Sequence, residues 1–565
     1  MASESLRPPK GKRTILQTLL NRAEDNPDQL YGSFPLTDNI EDGFRDFTVG
    51  ELAQAVDVCA WKIKEQYGIG VEYETILYMG VSDFRYTIFT YAAIKCGYKV
   101  GRHSLNKSNF GQYLDHNIQA CFQNPGNPVH DNLAILEQTS CVKAFYSEEL
   151  EDLLVQYRRF RPQLLAFELP PLMHFFESTA QPFPYHPKPW DEAKYEPIVV
   201  LHSSGTTGAP KPLTYRNGIV KCLDSPWPDD VGPMNLFSQL DGGFCYAPVP
   251  SFHTGGFLLM TLLTTMSTHC ALVTAPAASS APKNAHIAIQ IIKQKNVKLL
   301  TAMPFLLENL MRTAEGIETL ARLEYVTYGG APLRKTLGDE LCSKGVQPLS
   351  IYGATETAFL PLQRPSREAW DWMRFPPELK ISWEELDAGN GTYELCFRSE
   401  SEATNELRGT HWSLQVDDWR SKDLFVRHPC TPDLWRYIGR RDDMLILGTG
   451  INITNPTVVE EALQSHRNVS GALLAGENRW PPCVLLETYD DVCESDVEAF
   501  RVGLQPVIDE ANQLIRADAR IPHDYVVILG PGSFVRNPKG GIVRGKTVQK
   551  HKKEIDRIYA KQQSV

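Results

Sequence analysis

The sequence has no paired cysteines, no long hydrophobic run and no excess of positive charge, and each absence removes a class of protein. Its twelve cysteines are scattered singly from Cys59 to Cys493, with no CxxC spacing and no Cys/His cluster. That argues against a zinc module and a disulfide scaffold, and for free thiols in a reducing compartment. The most apolar stretch, 255–266, is interrupted by threonines. It falls well short of the roughly 20 residues a membrane span needs, and reads as a core helix. The polar, basic start contains no apolar segment of the secretory type, so the chain is expected to be cytoplasmic. Lysine and arginine number 57 against 68 aspartates and glutamates, a net charge of −11. A nucleic-acid binder would carry a basic footprint instead. An anionic small molecule remains compatible, because a local loop of backbone N–H groups holds phosphate even within an acidic protein.

What is present is an ordinary globular composition, 42 % apolar and 22 % charged over 565 residues. That length predicts three or four compact units, or one large multilobed enzyme. Residues 1–13 read as a flexible tail. Beyond them helical and strand-like runs alternate. Thr48 stands where it can cap a helix whose apolar residues recur at three and four; Glu74-Thr-Ile-Leu-Tyr-Met-Gly-Val reads as a buried strand and 84–95 as a helix. Ile198-Val-Val-Leu-His, Leu299-Leu-Thr-Ala-Met and Tyr325-Val-Thr-Tyr-Gly-Gly are further β-rich runs, each followed by a loop and a helical pattern. Such alternation predicts an α/β fold with parallel-rich sheets. The stretch 167–189, rich in proline and aromatics, reads as an irregular surface connection, and 382–435 as shorter strands with turns. The pattern restarts after Gly439-Arg-Arg-Asp-Asp, with a helix at 457–464. A boundary is expected there, giving a large body, 14–441, and a small lid, 442–565.

The most informative segment is Leu201-His-Ser-Ser-Gly-Thr-Thr-Gly-Ala-Pro-Lys-Pro-Leu-Thr-Tyr. Glycines let backbone N–H groups approach an anion, hydroxyls add donors, and Lys211 adds a point charge. The composition suits polyphosphate, yet the spelling is not GxxxxGK[ST], since Lys211 lies between Pro210 and Pro212. The loop resembles the signature of the adenylate-forming superfamily, which includes acyl-CoA synthetases, luciferases and the adenylation domains of peptide synthetases. Further motifs follow in that family's order. They are Pro250-Ser-Phe-His-Thr-Gly-Gly, Tyr328-Gly-Gly-Ala-Pro-Leu, Ile351-Tyr-Gly-Ala-Thr-Glu-Thr, Ser421-Lys-Asp-Leu-Phe, Tyr437-Ile-Gly-Arg-Arg-Asp-Asp-Met-Leu-Ile, Asn455-Pro-Thr-Val-Val-Glu and Asn537-Pro-Lys-Gly-Gly-Ile-Val-Arg. The resemblance covers nearly the whole chain and implies an acyl-CoA synthetase-like fold: a multi-subdomain N-terminal body and a small mobile α+β C-terminal domain.

It also implies roles. The reaction is a carboxylic acid plus ATP giving an acyl-adenylate and pyrophosphate, so the protein must neutralise charge and align attacker with leaving group. By resemblance, Ser203, Ser204, Gly205, Thr206, Thr207, Gly208 and Lys211 hold the β- and γ-phosphates, Thr355 donates to the α-phosphate and Glu356 binds Mg²⁺. Gly330, Ala331, Pro332 and Tyr352 belong to the nucleotide site, Asp423 accepts from the ribose hydroxyls, and Arg440 contacts ribose or phosphate. Phe252, His253, Tyr328 and Gly329 fall at the acyl pocket, with His253 lining or gating it. Asp442 is the implied pivot of lid rotation. The family's Thr-Gly before the ribose aspartate is Ser421-Lys422 here, a departure that bears on the local backbone.

The branch resembled is that of fungal non-ribosomal-peptide-synthetase-like enzymes and carboxylic acid reductases, which commonly select aryl or other non-amino acids. His253-Thr254 stands where amino-acid-selecting domains carry an aspartate for the ammonium group. The implied acceptor is a phosphopantetheine thiol on a carrier domain, in cis or in trans. No carrier, thioesterase or reductase motif is present, and an excised adenylation domain is the expectation. A stand-alone acyl- or aryl-CoA ligase and a non-catalytic nucleotide-binding scaffold are the alternatives. The catalytic lysine has two candidates: Lys539, in the Lys-Gly-Gly-Ile-Val-Arg spelling of that branch, and its rival Lys546, in Gly-Lys-Thr-Val-Gln-Lys. Adenylate formation is expected to collapse in Lys539→Ala and survive in Lys546→Ala; near-normal activity in the first variant reverses the assignment.

Overall fold

The computed structural model describes residues 8–70, 74–96, 120–125, 129–202, 211–228, 231, 236–237, 239–240, 242–267, 270–277, 284–386, 391–448, 452–453, 456–515, 517–536 and 541–562. Apolar strand runs build two parallel-rich sheets. The first has the order Leu165–Glu168, Lys143–Tyr146, Ile76–Met79, Ala120–Phe122, Pro197–His202 and Pro212–Arg216, parallel except at the last pair. The second runs Pro348–Ile351, Tyr325–Gly329, Val297–Ala302, Phe244–Tyr246, Ala271–Val273, Leu30–Pro35 and Phe44–Thr48, again antiparallel only at its end. Ile76–Met79 is buried at every position. A strand covered on both faces needs such an unbroken apolar run rather than alternation.

Helices cover these sheets. Val49–Tyr67 starts with a capping box: the Thr48 hydroxyl accepts the Glu51 N–H and the Glu51 carboxylate accepts the Thr48 N–H. Stretch 254–266 is a buried helix, as its apolarity predicts, with a wider π-turn over Phe257–Leu263. Its threonines have partners. Thr264 donates to the Leu259 carbonyl, and Arg22 donates to the carbonyls of Thr264 and Thr265.

Two expectations need correction. Stretch 167–189 is not simply a surface connection. It contains the helix Leu172–Glu177, and Leu169, Phe175 and Phe183 are buried in the main core, which drew its aromatics inward. Residues 11–13 at the end of the expected tail are docked: Gly11 N–H and the Arg13 guanidinium both reach the buried Asp224 carboxylate.

Strands Ser382–Glu385, Thr392–Phe397, Trp419–Arg427 and Trp435–Arg440 form an antiparallel sheet, with the short helices Glu402–Asn405 and Gly409–Ser413 in the connection. The separate C-terminal domain carries the helix Pro456–Leu463, the sheet Val469–Ala475, Cys483–Thr488, Val526–Leu529 and the helix Val497–Asn512. Val459, Leu463, Leu474, Val484, Leu504 and Ile508 give it a core of its own. All twelve cysteines are free thiols and nine are buried. Among the described residues no helix is long and apolar enough to cross a membrane.

Arg408 anchors the connection within the antiparallel sheet. It is fully buried, and its guanidinium donates to the carbonyls of Leu379, Lys380 and Arg398 and stacks over Phe397. Burial lowers its pKa. Arg408→Met fills similar space but strands those carbonyls. It is expected to cost about 3 kcal/mol, given that each orphaned buried acceptor costs about 1–3 kcal/mol, and to lower the urea midpoint accordingly.

Candidate active site

Parallel strands present their carboxyl ends on one side, where open α/β sheets place ligands. Strand Tyr325–Gly329 leads there into Gly330, whose φ of +80° is the left-handed turn glycine allows. Strand Pro348–Ile351 leads into Tyr352 and a tight hairpin, Gly353–Ala354 against Ala358–Phe359, with Thr355 and Glu356 at its tip. The hairpin closes through Thr357, whose hydroxyl accepts the Ala354 N–H at 2.9 Å and donates to the Ala358 carbonyl at 3.0 Å. A Cβ at position 353 would lie 2.1 Å from that carbonyl, so only glycine fits.

A cavity of about 1060 Å³ lies at this edge. Lys211, Tyr328, Gly330, Ala331, Pro332, Tyr352, Thr355, Glu356, Asp423, Arg440 and Asp442, named from separate motifs, all line it. Thr457, Val458, Glu461 and Ile542 line it from the C-terminal domain. Ser203, Ser204, Gly205, Thr206, Thr207, Gly208 and Lys539 lie outside the described residues. Lys546, on the helix Arg544–Lys550, is exposed and is not among the lining residues. Gly329 faces the neighbouring strand, its would-be Cβ 2.7 Å from the Ile351 carbonyl. Phe252 packs on Tyr86 with ring centroids 6.3 Å apart. His253 caps the helical stretch that follows, its Nδ1 accepting the Gly255 N–H at 3.2 Å. None of these three lines the cavity.

Asp423 and Arg440 are cross-strand partners, their charged groups 3.7 Å apart. The Tyr352 hydroxyl donates to Asp423 at 2.7 Å. Burial pushes the Asp423 carboxyl up to about 6, although Arg440 and the Tyr352 hydroxyl favour its charged form. Burial and the adjacent carboxylate push the Tyr352 phenol well up, so it remains a donor.

The Ser421-Lys422 departure is accommodated. Lys422 takes the left-handed conformation, φ +61°, at a cost of about 1–2 kcal/mol for a non-glycine residue. Its N–H donates to the buried Glu394 carboxylate at 3.0 Å, and its ammonium sits 3.1 and 3.2 Å from the two oxygens of Asp442. Ser421 supplies the hydroxyl that accepts the Asp423 N–H at 2.9 Å. Glu394 also holds Arg420 and Arg441, so one buried carboxylate braces both this turn and the turn Arg441–Asp443.

Sequence reasoning did not single out Glu394, Lys422 as an ion-pair partner, or Glu461. Burial raises the Glu461 carboxyl to about 7, with Arg334 and Arg436 opposing and Glu460 reinforcing the shift. Arg334 also donates to the Gln464 carbonyl at 3.1 Å, just past the helix Pro456–Leu463 of the C-terminal domain. No local spelling marks these residues, because their partners are far away in sequence.

Among the described residues no group of three or more His, Cys, Asp or Glu side chains is arranged to hold a metal ion. Glu356, one hard carboxylate on the cavity wall, fits Mg²⁺ held mainly by phosphate oxygens and water, the habit of that ion.

The profile described as AMP-binding enzyme matches residues 121–376, and that described as AMP-binding enzyme C-terminal domain matches 442–563. A carboxylic acid reductase of Neurospora crassa is 27 % identical over 99 % of this chain and 51 % of its own length. The adenylate-forming reductase Nps11 of Serpula lacrymans is 30 % identical over 69 % of this chain and 37 % of its own. The fold matches AMP-bound O-succinylbenzoate coenzyme A synthetase from Bacillus subtilis, with TM-score 0.66, 16 % identity, and coverage of 94 % of this chain and 98 % of that one. It also matches ATP-bound MatB from Rhodopseudomonas palustris, with TM-score 0.67, 14 % identity, and coverage of 97 % and 100 %. The site and both profile matches define the class: the chain belongs to the AMP-binding, adenylate-forming enzymes. Within that class it is similar to fungal carboxylic acid and adenylate-forming reductases, and it spans about half or less of the length of the curated relatives it matches.

If the Asp423 carboxylate on the cavity wall accepts hydrogen bonds from a nucleoside, affinity will depend on pH. With a carboxyl titrating near 6, its ionised fraction falls about fourfold between pH 7.5 and 5.5. Adenosine, which does not itself titrate there, is expected to bind correspondingly more weakly at pH 5.5. Asp423→Asn is expected to bind weakly at both pH values with no such slope; an unchanged slope in the variant assigns the dependence to another group, Glu461 being the candidate.

Proposed function

We propose that this chain activates a carboxylic acid of the aryl or other non-amino class with ATP, forming acyl-AMP and pyrophosphate, and delivers the acyl group to a phosphopantetheine thiol of a carrier domain. The observation that carries the reading is the shared cavity. Lys211, Thr355, Glu356, Asp423 and Arg440, read from four separate motifs, converge on one space roofed by the C-terminal domain.

A carboxylate oxygen attacks the α-phosphorus, the bond from that phosphorus to the bridging oxygen of the β-phosphate breaks, and pyrophosphate leaves. Asp423 accepts from the ribose hydroxyls and Arg440 offsets its charge. Thr355 donates to an α-phosphate oxygen, and Lys211 meets the outer phosphates with the loop 203–208. Glu356 would hold Mg²⁺, which when bound would supply positive charge to offset the negative charge gathering on the leaving pyrophosphate. Lys539 is assigned the role of bringing carboxylate and α-phosphate together. Fixing these groups beforehand lowers the barrier because nothing need reorganise as charge moves.

In the second step the thiolate attacks the acyl carbon, the bond to the phosphate oxygen breaks and AMP leaves. We assign the boundary near 441–442 to a hinge, with Asp442 as pivot and the lid turning between the two steps. The Lys422–Asp442 ion pair is then a tie across the pivot. His253-Thr254 in place of an acidic residue supports an acid without an ammonium group.

The test is an ATP–pyrophosphate exchange screen over aryl, α-keto, fatty and amino acids. Exchange well above the acid-free background is expected with an aryl or other non-amino acid, and an amino acid as best substrate overturns the substrate class. ATP binding without exchange for any acid assigns the chain to nucleotide binding alone. Thioester formation with free coenzyme A as fast as with a carrier replaces the carrier by coenzyme A as acceptor.

A further inference from the structure

The acyl-side segment and the hairpin that faces the nucleotide meet through one pair of hydroxyls. Thr254, the first residue of the buried helical stretch 254–266, is 5 % exposed, and its hydroxyl donates to the Thr355 hydroxyl oxygen at 3.2 Å. Thr355 lines the large cavity and Thr254 does not. A threonine hydroxyl carries one proton and two acceptor sites. Because Thr254 directs its proton at Thr355, the Thr355 proton is left for another acceptor. A hydroxyl that already accepts a hydrogen bond is polarised into a stronger donor.

Both threonines are held from behind. The Pro250 carbonyl accepts the His253 N–H at 3.0 Å, and His253 Nδ1 accepts the Gly255 N–H. A Cβ at position 256 would lie 2.1 Å from the Pro250 carbonyl, so the helix start is wedged against the segment before it. Ser251 is tied to Ser82 through its N–H at 2.9 Å. On the other side, the fully buried Tyr215 donates its hydroxyl to the Thr355 carbonyl at 2.7 Å. Thr254 therefore addresses the side chain of a residue whose main chain is already fixed.

We propose that Thr254 is a positioning residue that orients the Thr355 hydroxyl as a donor into the cavity toward an α-phosphate oxygen, so that the helix on the acyl side and the phosphate donor move as one. This rests on the nucleotide reading given above, with Thr355 as the group that touches substrate.

Thr254→Val removes the hydroxyl and keeps the shape. It is expected to lower kcat of ATP–pyrophosphate exchange about tenfold while KM for ATP stays within twofold. AMP affinity should fall about fivefold and adenosine affinity should not change. Thr254→Ser is expected to restore both within twofold, and Thr254→Val added to Thr355→Val should cause no further loss, since one acts through the other. Wild-type values in Thr254→Val overturn the proposal. So does equal impairment in the serine variant, equal weakening of AMP and adenosine, or additive loss in the double variant. The AMP–adenosine comparison needs no turnover, so a wild-type protein inactive in exchange would refute the proposed activity while still answering this question. Thermal melting of each variant identifies one that does not fold, and Thr254→Ser then carries the AMP comparison against wild type.

Discussion

The hydrogen bond from the Tyr352 hydroxyl to the Asp423 carboxylate joins two parts of the molecule that share no strand. Tyr352 leaves the edge of the seven-stranded sheet, while Asp423 sits on the antiparallel sheet next to it. Both residues line the cavity, so its wall is made where these two sheets meet. Tyr352 is wedged edge-on against Phe375 and Phe425, so its hydroxyl has one direction to point. The cost of enclosing the Asp423 carboxyl appears as its upward shift to about 6. Tyr352 and Arg440 offset part of that cost.

A second layer of charge supports the first. Glu394 is buried and touches the Lys422 N–H, Arg420 and Arg441. Removing a partner from such a network leaves an uncompensated charge, which is why it holds geometry firmly whatever its net contribution to stability. It stabilises the left-handed turn at Lys422, which a lysine would otherwise avoid. The side chain that a glycine would lack then reaches Asp442. The departure Ser421-Lys422 thus keeps the turn and adds an ion pair beside the boundary between the two domains.

Much of the fold was legible because the signals are local. The Thr48 cap, the unbroken apolar run at Ile76–Met79 and the apolar stretch 255–266 each respond to burial and capping within a few residues. The stretch 167–189 was misread for the same reason: proline and aromatic content marks irregular backbone but does not say that Phe175 and Phe183 turn inward. For the site, the motifs named the residues, and the structure gathers eleven of them around one cavity. His253 and Phe252 were read as acyl-pocket residues; His253 caps the helical stretch that follows, Phe252 packs on Tyr86, and neither lines this cavity.

The sequence by itself determined the class of protein, the alternation of strands and helices and the glycines, hydroxyls and charged side chains that its motifs carry. These follow from short-range periodicity and from motif order along one chain. Only the tertiary structure decided which groups meet. Thr254 and Thr355 are 101 positions apart, Tyr352 and Asp423 71, and Lys422 and Asp442 20. Contacts at such separations arise from how sheets pack and turns bend, and a hydrogen bond a few ångströms long leaves no trace in local composition.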